Sequence, residues 1–231
     1  MALIKCPECD KEISDTIKKC PNCGYKLKKR MNKKSKLIIS ICILIAIAIG
    51  TIITIVLINN KKQHEVEYNK LLTQTGGKMY LNGVVSELIC YDIGQVWYNS
   101  IFKKSNDKYD KYTIDNKWTY SKIFNDFSTS IENYKKANNE SLQKLKDAKV
   151  NLGEDIKKLK DYPNENYKDA YNELVVFYGI FSKLIDSATS PSGTYKDYIS
   201  TYNNYSKEFN ESYNRLIVLK PEIKEYATET K

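Results

Sequence analysis

Four cysteines near the N-terminus are the residues whose type and spacing could do chemistry. Cys6 and Cys9 form one Cys-Pro-x-Cys pair, and Cys20 and Cys23 form a second pair after ten intervening residues. Each Cys-x-x-Cys can place two sulfurs around one ion, and four thiolates in tetrahedral geometry select zinc, with iron as the competitor. Because four protein ligands leave no coordination position open, a structural site is expected rather than a catalytic one. The spacing predicts a zinc ribbon over residues 1–25.

The sequence around these pairs favours zinc over other uses of cysteine. Gly24 suits a left-handed turn after the second pair, and Asp10 is the next-best residue type after the first pair. A segment of ~20 residues buries too little apolar surface to fold alone, so zinc binding, worth ~10–16 kcal/mol in finger peptides, has to supply the folding energy. A redox pair would need a βαβ pattern, which is absent, and disulfides would need an oxidising compartment.

An apolar segment at residues 37–58 follows, with 22 residues and no charge. As a helix it would be about 33 Å long, enough to cross a hydrocarbon core of about 30 Å. A buried core helix is disfavoured because no face of the segment is polar, and a cleavable signal peptide would have a shorter apolar region nearer the start. The segment is predicted to be one transmembrane helix. Its small residues Ala46, Gly50 and Thr54 share a face and could support a homodimer.

Positive charge is concentrated before this apolar segment. Residues 1–36 carry 11 basic and 4 acidic side chains, whereas residues 61–231 carry 26 basic and 24 acidic ones. The asymmetry predicts a cytoplasmic N-terminus, with residues 26–36 as a basic juxtamembrane linker on anionic lipid and the C-terminal part outside the cell. Since this anchoring role accounts for the lysines, no nucleic-acid partner is expected.

The run "CPECD…CPNCGY", a basic stretch and one apolar segment together resemble the zinc-ribbon single-pass membrane proteins of Gram-positive, low-GC bacteria. The resemblance covers residues 1–60 and implies zinc ligation by the four cysteines. Members such as the teicoplanin-resistance-associated membrane proteins act at the cell envelope. Asp10 stands where the first turn usually has glycine. The remainder does not look like the repeated, β-rich outer domains of those relatives.

The C-terminal part reads as helical. Apolar side chains recur at intervals of three and four, which is typical of an antiparallel bundle, and the fold class is therefore predicted to be mainly α. Gly76-Gly77 is expected to end a helical stalk at 59–77, Thr194 to cap the last helix, and "ANNES" to bend or break a long one. The predicted bundle, at 78–231, has about four helices: 79–104, 119–161, 165–188 and 194–219.

Two residue types in the bundle raise functional questions. Cys90 is the one cysteine beyond the apolar segment and has apolar neighbours, so a buried thiol is expected. Eighteen of the 19 tyrosines also lie there. They are interpreted as a tyrosine-rich core, with rows lining a groove for glycans or peptides as the alternative.

Catalytic signals are missing, because the one histidine, His64, follows the apolar segment closely and no phosphate loop or nucleophile motif is present. The chain is therefore expected to be non-enzymatic. The favoured hypothesis is an envelope protein with a cytoplasmic zinc ribbon for protein docking and an extracellular helical domain for ligand or partner binding. The alternatives are a structural or assembly scaffold for another membrane complex, a nucleic-acid-binding ribbon, and an enzyme in the outer domain.

Overall fold

The computed structural model describes residues 3–27, 33–115 and 122–230, and the side chains of residues 33–36 lie outside that description. Residues 28–32 of the predicted basic linker, including Lys28, Lys29 and Arg30, therefore fall outside the described residues, as does Tyr120. The chain forms two compact units, Met1–Lys61 and Lys62–Lys231. The second is called the helical unit below.

The ribbon, residues 3–27, contains a short antiparallel hairpin. Strand β1 (Leu3–Lys5) pairs with β2 (Glu12–Ser14), with Ile4 opposite Ile13. An isolated bridge joins Lys19 and Lys26 in the second half of the ribbon. The hairpin and the bridge bring the four cysteines to one place.

Helix α1 (Lys33–Phe102) has 70 residues and includes the apolar segment. One 18-residue window of it has a mean hydropathy of 3.1 and no buried residue, so α1 is long and apolar enough to span a membrane. Every side chain from Leu37 to Asn60 is exposed. No face of the apolar segment packs against the described protein, which a core helix would require.

The predicted helix break at Gly76-Gly77 is wrong, because α1 continues through both glycines. A Cβ at Gly76 would lie 2.7 Å from Cδ1 of Ile223, and a Cβ at Gly77 would collide with the ring of Tyr226. These glycines are places where another helix approaches α1 closely. Packing against that helix compensates for the low helix propensity of glycine.

After α1 the chain forms a small α/β region and then a series of helices. The helix predicted at 79–104 is not separate but is the last part of α1, which ends at Phe102. Thr194 caps the last long helix by accepting a hydrogen bond from the Asp197 backbone N–H, as the sequence predicts. The elements are α2 (Asp110–Thr113), β3 (Ile114–Asp115), β4 (Ile123–Phe124), α3 (Phe127–Ala137), α4 (Asn139–Asp161), a 3₁₀ turn (Glu165–Tyr167), α5 (Lys168–Thr189), α6 (Tyr195–Leu219) and α7 (Glu222–Glu229).

The helix predicted at 119–161 begins later and is divided in two. Residues 123–124 form β4, paired with β3, and Asp126 caps α3 by accepting a hydrogen bond from the Thr129 backbone N–H at 2.9 Å. The predicted break in "ANNES" is confirmed, because Asn138 separates α3 from α4. Helix α7, which follows Pro221, was not predicted, and its Ile223 is fully buried.

The helical unit has one continuous hydrophobic core. Helix α5 lies between α4 and α6 and contributes Phe177, Phe181 and Leu184, which are completely buried. Helix α1 packs on α6 through aromatic rings, with Tyr80 stacked on Tyr213 at 3.9 Å between centroids. The mainly α fold with a helical bundle is confirmed.

Candidate metal centre

The two cysteine pairs lie in turns with the same backbone hydrogen bonds. The Cys6 N–H donates to the Lys11 carbonyl at 3.0 Å, and the Cys20 N–H donates to the Tyr25 carbonyl at 2.9 Å. In each turn the residue four positions on donates back to the cysteine carbonyl. The two halves are therefore matched turns, each of which presents two sulfurs.

Each turn needs a left-handed residue directly after its second cysteine. Asp10 has φ of 53° and Gly24 has φ of 79°, the two positions that the sequence singled out. Glycine adopts this conformation without a Cβ penalty, and aspartate is among the residue types that tolerate it best. The unusual Asp10 therefore leaves the turn geometry intact.

The four sulfurs converge. Their Sγ atoms all lie within 4.8 Å of one another, with Cys6 and Cys23 at 3.6 Å and Cys9 and Cys20 at 3.8 Å. A tetrahedral Zn–S₄ site with bonds of about 2.3 Å has S···S separations of about 3.8 Å. The donor set and its spacing thus fit zinc, and the structure brings together all four sequence-predicted ligand residues.

A small apolar cluster supports the sulfurs. Ile13 is buried together with Cys6 and Cys20, and Ile17 and Leu27 pack against them. The sequence analysis did not single out these three apolar residues. Their signal was weak, since it consists of isolated apolar side chains among charged ones rather than a periodic stripe.

The backbone of the second pair favours thiolate at Cys20. The Cys23 N–H, followed by the Asn22 N–H as a smaller effect, lowers the pKa of the Cys20 thiol to about 6. Hydrogen bonds to the charged sulfur stabilise it relative to the thiol. A thiolate is the form that binds metal, and within this pair it is favoured at Cys20 alone, because desolvation and hydrogen bonds with the other thiols raise the pKa of Cys23 to about 12.

Four protein sulfurs close the coordination sphere, so the centre can hold a zinc ion but offers no position for water or substrate. The other two cysteines lie elsewhere. Cys42 is exposed in the apolar segment, and Cys90 is buried in the helical unit with its thiol 3.9 Å from the Leu184 carbonyl oxygen. Burial raises the pKa of Cys90 to about 12, so this thiol stays protonated at neutral pH.

Comparisons with known proteins identify the ribbon. The family model of the zinc-ribbon domain matches residues 5–27. A protein of Haemophilus influenzae, described only as an uncharacterised protein, is 50% identical over 30 residues, which are 13% of this chain and 40% of that protein. The chain thus matches less than half the length of this curated relative. No solved structure matches the chain. The N-terminal residues form a zinc-ribbon domain with a site able to hold zinc.

Proposed function

We propose that the chain is a single-pass membrane protein of the cell envelope. Its ribbon is a cytoplasmic docking module for a protein, and its helical unit is an extracellular domain that binds a ligand or partner without catalysing a reaction. The observation that carries the proposal is the apolar segment within α1, whose side chains are all exposed in the described protein. Apolar surface of this extent needs either lipid or another protein to cover it.

The orientation rests on the distribution of lysine and arginine. Seven basic residues and no acidic ones lie at residues 24–36, whereas Lys61, Lys62 and Lys70 follow the apolar segment among acidic neighbours. Cytoplasmic flanks of membrane helices retain such an excess of positive charge. The same compartment is reducing, which keeps the four ribbon thiols available for zinc.

The exposed apolar side chains of the ribbon support a docking role. Because the metal is expected to be closed off by four sulfurs, recognition has to use the ribbon surface. Leu3, Ile4 and Tyr25 expose 66%, 39% and 38% of their surface there. Apolar and aromatic side chains of this kind are the ones that anchor protein interfaces.

Topology is tested by labelling thiols in intact cells with a membrane-impermeant maleimide. Val218 is 79% exposed in the helical unit, so a Val218→Cys variant in a Cys42→Ala background provides an accessible thiol. We expect it to react without permeabilisation. The ribbon thiols, freed of zinc by a permeant chelator, should react only after permeabilisation. The reverse pattern overturns the orientation, and a chain absent from the membrane fraction overturns the proposal.

Homodimerisation through Ala46, Gly50 and Thr54 is a further part of the proposal. Nothing lies within 4 Å of a Cβ placed on Gly50, so a second helix could approach this face closely. The Thr54 hydroxyl donates to the Gly50 carbonyl oxygen at 2.8 Å, so it needs no partner from a second helix. Cys42 lies one turn before Ala46 on the same helix. Oxidation in membranes should yield a disulfide dimer that Cys42→Ala abolishes and Gly50→Leu weakens. A monomer under all oxidising conditions contradicts it.

The alternative is a structural scaffold for another membrane complex. Replacing all four ribbon cysteines with serine distinguishes the two roles. Loss of a co-purifying partner while the helical unit remains folded supports docking. Loss of protein abundance alone indicates that zinc only keeps the N-terminal segment folded.

A further inference from the structure

Two clefts adjoin the loop at residues 191–193, which joins α5 to α6. The first has a volume of about 310 Å³ and lies between the end of α5 and the start of α6. The second has a volume of about 230 Å³ and lies between this loop, α1 and α3. Both include Pro191 and Ser192 in their walls, so the loop lies between two neighbouring clefts, which are together called the trough below.

Each half of the trough presents an aromatic ring. In the second cleft Phe127 is 47% exposed and lies nearly parallel to the buried Trp97, with 5.7 Å between ring centroids. In the first cleft Tyr205 is half-buried, with the Lys183 ammonium 5.5 Å from its ring centroid. The Phe127 ring, supported by Trp97, offers a flat apolar surface at little entropic cost, and the Tyr205 ring has one face covered by the Lys183 ammonium.

The trough also contains hydroxyl groups that are free to bind a ligand. Ser190, Ser192 and Thr201 are exposed, and their side-chain hydroxyls make no hydrogen bond within the described part of the chain. A hydroxyl both donates and accepts, so these groups match a partner that does the same. Below them the buried Tyr198 hydroxyl donates to the Ser187 carbonyl oxygen at 3.3 Å, which fixes the floor of the first cleft.

Charge in the trough is mixed rather than of one sign. Lys183 and Lys135 line it together with Asp186, Asp197 and Glu132. The Asp186 carboxylate is already paired with the Lys149 ammonium at 2.6 Å outside the lining. Such a surface has no strong preference for an anion or a polycation.

We propose that this trough binds a short uncharged saccharide chain. The apolar C–H faces of the sugar rings would pack on Phe127 and Tyr205, and the sugar hydroxyls would exchange hydrogen bonds with Ser190, Ser192 and Thr201. The few convergent polar groups beside aromatic walls are the usual composition of a small-ligand site. A peptide fits less well, because the described trough contains no strand edge with which a peptide backbone could pair.

The inference gives a ligand class to the proposed binding role of the helical unit, and it rests on that role. It is tested by calorimetric titration of the full chain in lipid nanodiscs with chitotetraose and cellotetraose, because maltoside detergents would themselves present sugars. The chitotetraose is the fully N-acetylated form, which is uncharged like cellotetraose. We expect saturable binding of at least one of the two. Phe127→Ala and Tyr205→Ala should each weaken it by at least about tenfold.

Matched variants separate binding from folding. Phe127→Tyr and Tyr205→Phe keep the rings and should retain binding, and Tyr91→Ala removes a tyrosine that is 51% exposed elsewhere on α1 and should change nothing. Absence of saturable heat with both saccharides, or equal loss in Tyr91→Ala, overturns the inference. Binding of a neutral serine- and asparagine-rich peptide in place of the saccharides also overturns it. Since the titration does not depend on membrane orientation, its failure is distinct from a failed topology test.

Discussion

The ribbon and the helical unit hold their shapes by different means. Three buried residues form the centre of the ribbon, and two of them are the cysteines Cys6 and Cys20. The core of the helical unit contains 28 buried hydrophobic residues among those described. A core of the first size cannot offset the conformational entropy of its own segment, whereas a core of the second size can. We therefore expect the ribbon to need an ion for folding, whereas the helical unit is stabilised by its own buried side chains.

The largest expected effect is removal of a zinc ligand. Cys20→Ser should release the ion and unfold the ribbon, because binding worth on the order of 10 kcal/mol supplies its folding energy. The urea midpoint of the helical unit should not change. Metal content per chain, measured after dialysis against a chelator, and tryptophan fluorescence in urea report the two outcomes.

Cys42→Ser is the matched control for this variant, since Cys42 is exposed in the apolar segment and takes no part in the cluster. It should keep one zinc per chain. A Cys20→Ser chain that retains one full equivalent of metal would show that Cys20 is not needed to hold the ion, which contradicts the prediction.

The next largest effect is expected from truncating a buried side chain in the core of the helical unit. Leu184 is completely buried, so Leu184→Ala should lower the free energy of unfolding of the helical unit by about 2–5 kcal/mol through lost burial and a residual cavity. Zinc content should be unchanged. Urea titration measures the loss, and Val218→Ala at a largely exposed position should stay within about 0.5 kcal/mol. A joint loss of zinc and core stability would show that the regions are coupled.

A smaller effect concerns helix contacts inside the helical unit. Gly77→Ala places a methyl group against the Tyr226 ring and should destabilise the unit by about 1–3 kcal/mol. Gly179→Ala meets nothing within 4 Å on α5 and should stabilise it by about 0.5–1 kcal/mol through helix propensity. Urea midpoints of the pair measure the difference, and equal shifts would show that Gly77 is not a packing position.

The smallest effect is a pH dependence of the helical unit. The Thr129 backbone N–H, followed by its hydroxyl, holds the pKa of the Asp126 carboxyl below its usual range. A depressed pKa means that this contribution is present above the unfolded value of about 3.9 and is lost as pH falls through the folded value.

Asp126→Asn keeps an acceptor at the α3 N-cap but removes the titration. The midpoint temperature of thermal unfolding, measured from pH 5 to pH 2, should therefore fall less steeply in the variant than in the parent chain. Identical slopes would show that the cap does not contribute to acid sensitivity.

The same contrast explains what could be predicted from the sequence. The ribbon was predictable because metal ligation needs particular residue types at fixed spacing, and the left-handed turns at Asp10 and Gly24 follow from local sterics. Helix α6 was predictable because Thr194 is a local capping signal. Both are decided by residues close together in the chain.

The missed features depend on distant residues. Gly76 and Gly77 predict a break by propensity, and only contact with Ile223 and Tyr226 on α7 makes them packing positions. The strand at residues 123–124 likewise exists through pairing with residues 114–115. The trough beside residues 191–193 joins parts of α1, α3, α5 and α6, so no window of sequence contains it.

The contact between Gly76–Gly77 and α7 also has a consequence for the order of synthesis. Gly76 and Gly77 emerge from the ribosome 147 and 149 residues before Ile223 and Tyr226, the side chains that cover them. Until then this stretch of α1 is a weak helix with an uncovered apolar side. The helical unit therefore closes only after α7 has been made, and a nascent chain that stalls before α7 presents this stretch to chaperones and proteases.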